Sequence, residues 1–316
     1  MKKITKVLAA AAGVGAASYL ACDLVSNLVV NRNFTIPEAL QNKVSQTDLS
    51  YLDELCESYM QWVEDYGYER HRIYTDDGTE LIGYHMRPEK PSNVYAFLAH
   101  GYRSDGKLEF CGIAQYYLSR GYNVFFVDHR AAGASQGKYI GFGYYESRDS
   151  IKWLNYLNDT FGNDIDIILH GVSMGSATVM LMSGSEDLPA NVKLVVADCG
   201  YTSAVDEFEE KLKEMHLPPK PVIKAVNAIN KRKAGYDFND VRPIDAVRKS
   251  TLPFLFVHGD ADKFVPTYMV WQLYDACASE TKDILIVEGA IHAVSFVTER
   301  DKYEAKLDEM IAKAIG

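Results

Sequence analysis

Residues 165–182, IDIILHGVSMGSATVMLM, constrain the fold more than any other stretch of the chain. An isoleucine-rich apolar run meets Gly171-Val172-Ser173-Met174-Gly175 and passes directly into small and aliphatic residues at helical spacing. That is the pattern of a buried strand, a tight turn and a helix. Gly171 and Gly175 put no side chain beside Ser173, so the turn can close sharply and hold the serine hydroxyl above the strand end, near a helix N-terminus. A bare G-x-S-x-G string is a weak signal. The strand before it and the helix after it make Ser173 a candidate nucleophile.

Apolar runs of the same kind occur at 93–100 (NVYAFLAH), 122–128 (YNVFFVD), 192–199 (VKLVVADC), 253–260 (PFLFVHGD) and 283–289 (DILIVEG). Helical patterns lie between most of them, at 109–120, 146–160 and 267–278. Strand and helix alternating in this way imply an α/β chain with a mostly parallel central sheet and helices on both faces. Ligands of such sheets sit at the carboxyl ends of the strands. Ahead of these runs, HRIYT (71–75) and ELIGYHMR (80–87) form a hairpin around Asp76-Asp77-Gly78-Thr79. Residues 48–66 carry Leu52, Leu55, Tyr59, Trp62, Val63 and Tyr66 on one helical face, a stripe for core contact. The rhythm breaks at about 201–250, where no strand pattern occurs and a charged helical stretch, Pro218-Pro219 and the basic cluster Lys231-Arg232-Lys233 follow one another. Inserted at strand ends, this interval reads as a helical lid.

A serine hydroxyl becomes a useful nucleophile when an imidazole takes its proton and a carboxylate orients that imidazole. His292, just past the last strand pattern, suits the first task, and Asp262, just past the preceding one, suits the second. Asp260 is a nearer but less favoured acid. The developing oxyanion needs backbone N–H donors. Met174, directly after Ser173, offers one, and Tyr102, in the His100-Gly101-Tyr102 loop, offers the other; His100 itself reads as structural.

At 316 residues the chain can bury a large core. Its net charge of −10 repels nucleic acid and anionic lipid at long range, which leaves small molecules as partners. Cys22, Cys56, Cys111, Cys199 and Cys277 show neither metal-ligand spacing nor a disulfide framework. The N-terminus stands apart: Lys2, Lys3 and Lys6 precede the apolar run 7–22, and Leu24 to Val30 follow Asp23. Residues 1–32 therefore read as a membrane anchor or signal segment, although the about 20 apolar residues of a full span are reached only by including Asp23. The lysines ahead of the run favour a cytoplasmic N-terminus and an external main domain. The alternatives are a secreted protein, with the segment cleaved at an A-x-A-like site, or a cytoplasmic one, with it packed as an Ala-rich helix on the protein itself. Residues 33–68 follow as linker and amphipathic helix, and 69–316 as the main domain.

HGY at 100–102, DHRAAGASQGKY at 128–139, GVSMG at 171–175, HGDADKFVP at 258–266 and GAIHA at 289–293 together resemble the α/β-hydrolase superfamily, over about residues 70–315. The order Ser173, Asp262, His292 is the order of that superfamily. More narrowly, the chain is similar to bacterial serine hydrolases of the esterase, serine aminopeptidase-like and acyltransferase-like kinds, many with an N-terminal anchor. One departure is Ala131-Ala132-Gly133, where relatives often carry Gly-His-Gly; it touches none of the three positions. Carried over residue by residue, the resemblance implies an α/β-hydrolase fold with Ser173 as nucleophile, His292 as base, Asp262 as acid, and Met174 and Tyr102 as oxyanion donors. It implies acyl transfer to Ser173 and then to water, with no metal or organic cofactor.

Tyr102, Phe110, Tyr139, Tyr144, Tyr145 and above all Phe142, Tyr201 and Phe264 lie in or near loops at the strand ends and are candidates for an apolar pocket. A carboxylesterase or thioesterase acting on a small-molecule ester is the expected activity. The alternative, a serine aminopeptidase or acyl-peptide hydrolase acting on a short peptide, needs carboxylates for a substrate amine. Asp206, Glu207, Glu209 and Glu210 in the lid would serve, unless they form a solvated helix face. A membrane-tethered scaffold without activity is disfavoured, because all three members of the Ser-Asp-His set are present.

Overall fold

The computed structural model describes residues 20–34 and 50–316. The N-terminal run up to residue 19 and most of the expected linker, 35–49, lie outside the described residues. Eight strands appear where the sequence pattern puts them: β1 (Glu69–Tyr74), β2 (Glu80–Met86), β3 (Val94–Ala99), β4 (Asn123–Asp128), β5 (Asp166–Val172), β6 (Val192–Asp198), β7 (Phe254–Gly259) and β8 (Lys282–Val287). They form one sheet in the order β1-β2-β4-β3-β5-β6-β7-β8. The β1–β2 and β2–β4 pairs are antiparallel and every other pair is parallel.

Alternate residues of each strand point to opposite faces, and both faces are covered. Ile82, Leu98, Phe126 and Ile168 pack against α2 (Ser50–Tyr66), α3 (Gly106–Ser119) and α11 (Arg300–Ile315). Phe97, Phe125 and Leu169 pack against α4 (Tyr144–Phe161), α5 (Met174–Ser183) and α9 (Tyr268–Ala276). Fully burying one such large apolar side chain contributes about 1.5–3 kcal/mol, and this double layer fixes the strand ends that carry the polar residues.

Above those ends lies the expected helical interval, with α6 (Ala204–Glu214), α7 (Pro219–Ala234), a 3-10 turn (Phe238–Asp240) and α8 (Pro243–Val247). Ser203 caps α6 by accepting from the Asp206 N–H at 3.0 Å. Pro219 starts α7, and Gly235, at φ 80°, ends it in the left-handed conformation that helix termini favour. The basic cluster Lys231-Arg232-Lys233 is the last turn of α7, where cations complement the helix dipole. Tyr201, Val226, Tyr236, Phe238 and Val265 join Phe142 in a third apolar cluster, which glues the lid to the sheet body.

The sequence reads residues 1–32 as a membrane anchor or signal segment; the run up to residue 19 lies outside the described residues, and residues 20–32 pack on the main domain. A helix α1 over 20–30 packs Val29 and Val30 into the lid cluster, and Asp23 pairs with Lys233 of α7 at 2.6 Å. Arg32 donates to the carbonyls of Ser135 and Gly133, and Asn31 bridges to Tyr139. Leu20, Leu24 and Val25 stay exposed. The physical reason is the charge at 23 and 32, which finds partners on the main domain. No described helix is long and apolar enough to cross a membrane.

Candidate active site

Ser173 occupies the turn from β5 to α5 with φ 56° and ψ −116°, a strained conformation for a non-glycine residue. The two flanking glycines make it possible. A Cβ on Gly171 would lie 2.1 Å from the Gly175 carbonyl oxygen, and one on Gly175 would lie 1.7 Å from that of Ala99. The Ser173 N–H donates to the Asp198 carbonyl at 2.9 Å, which ties the turn to β6.

The loops after β7 and β8 bring Asp262 and His292 to this turn. His292 Nε2 lies 2.8 Å from Ser173 Oγ, and His292 Nδ1 lies 2.8 Å from Asp262 Oδ2. An ionised carboxylate only accepts, so Nδ1 carries the proton and Nε2 presents a lone pair to the serine hydroxyl. Asp262 Oδ1 accepts from the N–H groups of Phe264 and Val265 at 2.8 and 2.9 Å. Burial of Asp262 by itself would raise its pKa; hydrogen bonds from His258 and His292, with the attraction between the carboxylate and either ring when protonated, hold it well below the usual carboxylate range. Asp260, the other candidate acid, accepts from the Gly289 N–H at 2.7 Å and braces the loop that carries His292.

Met174 opens α5, so its N–H has no partner one turn back. The second expected donor depends on His100. The His129 N–H donates to His100 Nε2 at 3.0 Å, so His100 carries its proton on Nδ1 and donates it to the Gly101 carbonyl at 2.7 Å. That carbonyl and the Tyr102 N–H belong to one planar peptide unit, and pinning the first fixes the direction of the second. The site for a Cβ on Gly101 is 3.4 Å from Ser173 Cβ, which puts this peptide beside Ser173. Tyr102 stacks on Phe142 at 5.2 Å and donates its hydroxyl to the Val29 carbonyl of α1 at 2.7 Å. The departing Ala131 packs with Met174 and Tyr102 on the same side.

Three further carboxylates surround this arrangement. Glu207 of α6 turns inward: both its oxygens are buried without a hydrogen-bond partner, and burial, with Asp262 adding its negative charge, pushes its pKa up to about 8. Its neighbours face elsewhere, Asp206 accepting from the Thr202 hydroxyl at 2.7 Å and Glu210 pairing with Lys213 at 2.6 Å. Burial likewise raises Glu109, which is bound by the Ser104 side chain and lies in the field of His292. Asp198 ends β6, accepts from the Tyr303 hydroxyl at 2.9 Å, and is pushed up to about 6 by burial. Glu109 and Asp198 line a cavity of about 310 Å³, with Cys111 and Phe296 among its apolar walls. Val172 and Ala293, the neighbours of Ser173 and His292, border it as well. No motif marks Glu109. The available signal for Asp198 is its place at the carboxyl end of an apolar strand.

Among the candidate pocket aromatics, Phe264 stands 45% exposed with its ring 4.8 Å from that of His292, at the mouth of the site. Phe142 and Tyr201 are buried in the lid cluster, and the Tyr201 hydroxyl is spent on the Phe142 carbonyl at 2.8 Å. Tyr144 and Tyr145 pack on Tyr236, Tyr139 joins the same cluster, and Phe110 belongs to the core under α3.

The model of the prolyl oligopeptidase family matches residues 109–316. Protein YqkD of Bacillus subtilis is 28% identical over 235 residues, covering 74% of this chain and 76% of its own length. Protein YfhR of Escherichia coli K12 is 23% identical over 245 residues, 76% and 79% of the two chains. Among solved structures, the Pyrococcus furiosus esterase Pf2001 superimposes with a TM-score of 0.65 at 20% identity, covering 80% of this chain and 93% of its own. Est1E of Butyrivibrio proteoclasticus, solved with ferulic acid bound, gives 0.58 at 19% identity over 77% and 99%. At these identities the likeness shows the fold, which is that of the α/β-hydrolases.

Proposed function

The chain belongs to the prolyl oligopeptidase family, and from that premise we propose that this α/β-hydrolase enzyme cleaves a carboxylic ester of a small molecule through an acyl-enzyme on Ser173. The observation that carries the reading is the continuous bond from Asp262 through His292 to Ser173, 2.8 Å at each step. As Ser173 Oγ bonds to the acyl carbon, its proton passes to His292 Nε2, and the carbonyl electron pair moves onto an oxyanion held by the N–H groups of Met174 and Tyr102. Collapse expels the alkoxide, which takes the proton from His292. Water, giving its proton to His292, then attacks the acyl carbon; the bond from Ser173 Oγ to that carbon breaks, His292 returns the proton to Oγ, and the acid is released.

Glu207 favours a second reading, the serine aminopeptidase. Buried without partners near Asp262, its carboxyl group is held protonated, and a substrate ammonium group would draw it into the charged form and pair with it. Both readings are tested by turnover of short-chain p-nitrophenyl esters, run beside a p-nitrophenyl aminoacyl ester and its desamino analogue. Ser173→Ala and His292→Ala should each lower ester turnover by at least about 10⁴-fold. Turnover that survives either change would sink the triad assignment. A clear preference for the amine-bearing ester would replace the plain esterase reading with the second.

The apolar run 7–22 supports a further proposal, attachment of the catalytic body to a membrane with that body outside the cytoplasm. Full-length chain should then sediment with membranes, and chain starting at residue 20 should not. Equal partitioning of the two would refute it.

A further inference from the structure

At the end of the sheet opposite Ser173, β1 and β2 bring a different set of side chains together. Glu69 and His71 stand two residues apart on one face of the edge strand, and His85 is the direct cross-strand partner of Glu69. One ligand atom from each of the three lies within 4.8 Å of the others. His85 is 1% exposed, and its Nε2 lies 3.0 Å from Asn123 Oδ1. Asn123 donates its amide N–H groups to the Ser92 and Val94 carbonyls, so its oxygen is the acceptor and His85 Nε2 is the protonated nitrogen. His85 Nδ1 therefore presents a bare lone pair, and it is buried with no hydrogen-bond partner. His71 Nδ1 lies 2.8 Å from the Tyr156 hydroxyl, which can donate or accept; in the tautomer that donates from Nδ1, Nε2 presents a lone pair, and it is buried without a hydrogen bond, 3.7 Å from Glu69 Oε2.

Two buried imidazole nitrogens left unpaired beside one carboxylate are costly unless a third species joins them. We propose that Glu69, His71 and His85 form a binding site for a divalent transition-metal ion, with zinc the best fit to two imidazoles and one carboxylate. Bonds of about 2.0–2.2 Å in a tetrahedron place neighbouring ligand atoms roughly 3.3–3.5 Å apart, close to the His71–Glu69 spacing. Glu69 lies on the edge strand with its side chain 54% exposed, so its carboxylate can be drawn toward the two rings. Asn123 and Tyr156 are the outer partners that hold the rings in place. Arg87 competes, since its Nε and Nη2 each lie 3.0 Å from Glu69. That ion pair is half exposed on both sides and is therefore weak, but its charge lowers the site's affinity for a cation. A bound ion would clamp the edge strand to β2, far from the ester chemistry.

The test is titration of the full, chelator-treated chain with Co²⁺ and then Zn²⁺, following the cobalt d–d bands and the melting temperature. We expect one equivalent of tetrahedral Co²⁺, displaced by Zn²⁺, and a zinc-dependent rise in Tm. His71→Gln, a change on the outer strand that spares the core, should weaken binding by more than the roughly 10–100-fold that loss of an outer-shell partner costs. Glu69→Gln, which removes the carboxylate ligand, should likewise weaken it by more than an outer-shell change, and His292→Ala should leave it unchanged. No stoichiometric binding would overturn the proposal, as would binding that survives both His71→Gln and Glu69→Gln. Binding lost in His292→Ala would also overturn it, by placing the ion at the triad beside Cys199.

Discussion

Asp262, in the loop under the lid, and Glu207, on the lid helix above it, are buried to the same degree, at 5% and 6% exposed. Their proton affinities nevertheless move in opposite directions. Asp262 receives two backbone N–H bonds and faces His258 and His292, so its charge is stabilised in place of water. Glu207 receives no hydrogen bond, and its nearest compensation is the charge of Lys211 one turn away. Burial sets the cost of charge; the surrounding donors decide whether that cost is met. The loop is complete as it stands, whereas the lid carries a carboxyl group that lacks a partner.

The largest expected effect lies on the satisfied side. Asp262→Asn keeps an oxygen for the Phe264 and Val265 N–H groups but replaces the acceptor for His292, favouring the wrong tautomer. Turnover of a p-nitrophenyl ester should fall by about 10⁴-fold with the fold intact. Asp260→Asn, which touches only the bracing loop, should change it by less than about 10-fold. Reversal of that order would move the acid to Asp260 and break the contrast.

The smaller effect lies on the lid. Glu207 has a folded-state pKa of about 8, above the unfolded value of roughly 4.3, so the folded protein binds the extra proton between these limits. Stability contributed by the protonated form is complete below the unfolded value and is lost as pH rises through about 8. Glu207→Gln should therefore stabilise the protein by about 1 kcal/mol at pH about 5 and by up to about 5 kcal/mol at pH about 8. Urea unfolding at the two pH values measures it. Asp262 acts with the opposite sign, its stabilisation present at neutral pH and lost as pH falls through and below the ordinary carboxylate range. An equal Glu207→Gln effect at both pH values would mean that the carboxylate is already paired in solution.

Legibility in the sequence follows the range of the interactions. Strand existence came from runs of apolar residues, and the sharp turn at Ser173 from glycines two positions away on each side, because sterics within a few residues require them. The interval 201–250 was visible as a missing strand pattern. His292 and Asp262 stand out in the sequence by their places after successive strands, and the parallel sheet brings both loops to one edge.

Three features were decided by the tertiary structure. Asp206, Glu207 and Glu210 are alike in sequence, and Glu207 alone of these turns inward, because helix burial depends on what covers each face. Leu24 to Val30 read in sequence as a second apolar patch behind the run 7–22, and in the fold Lys233, Arg103 and the Tyr102 hydroxyl bind the side chains and end carbonyls of helix 20–30 from far along the chain. His71 and His85 look like ordinary strand residues until the hairpin register sets their unpaired nitrogens together with Glu69. Local periodicity and backbone sterics determined the elements and the nucleophile turn. Partnering between distant residues, which no local pattern encodes, decided which polar groups are satisfied and which are left for a ligand.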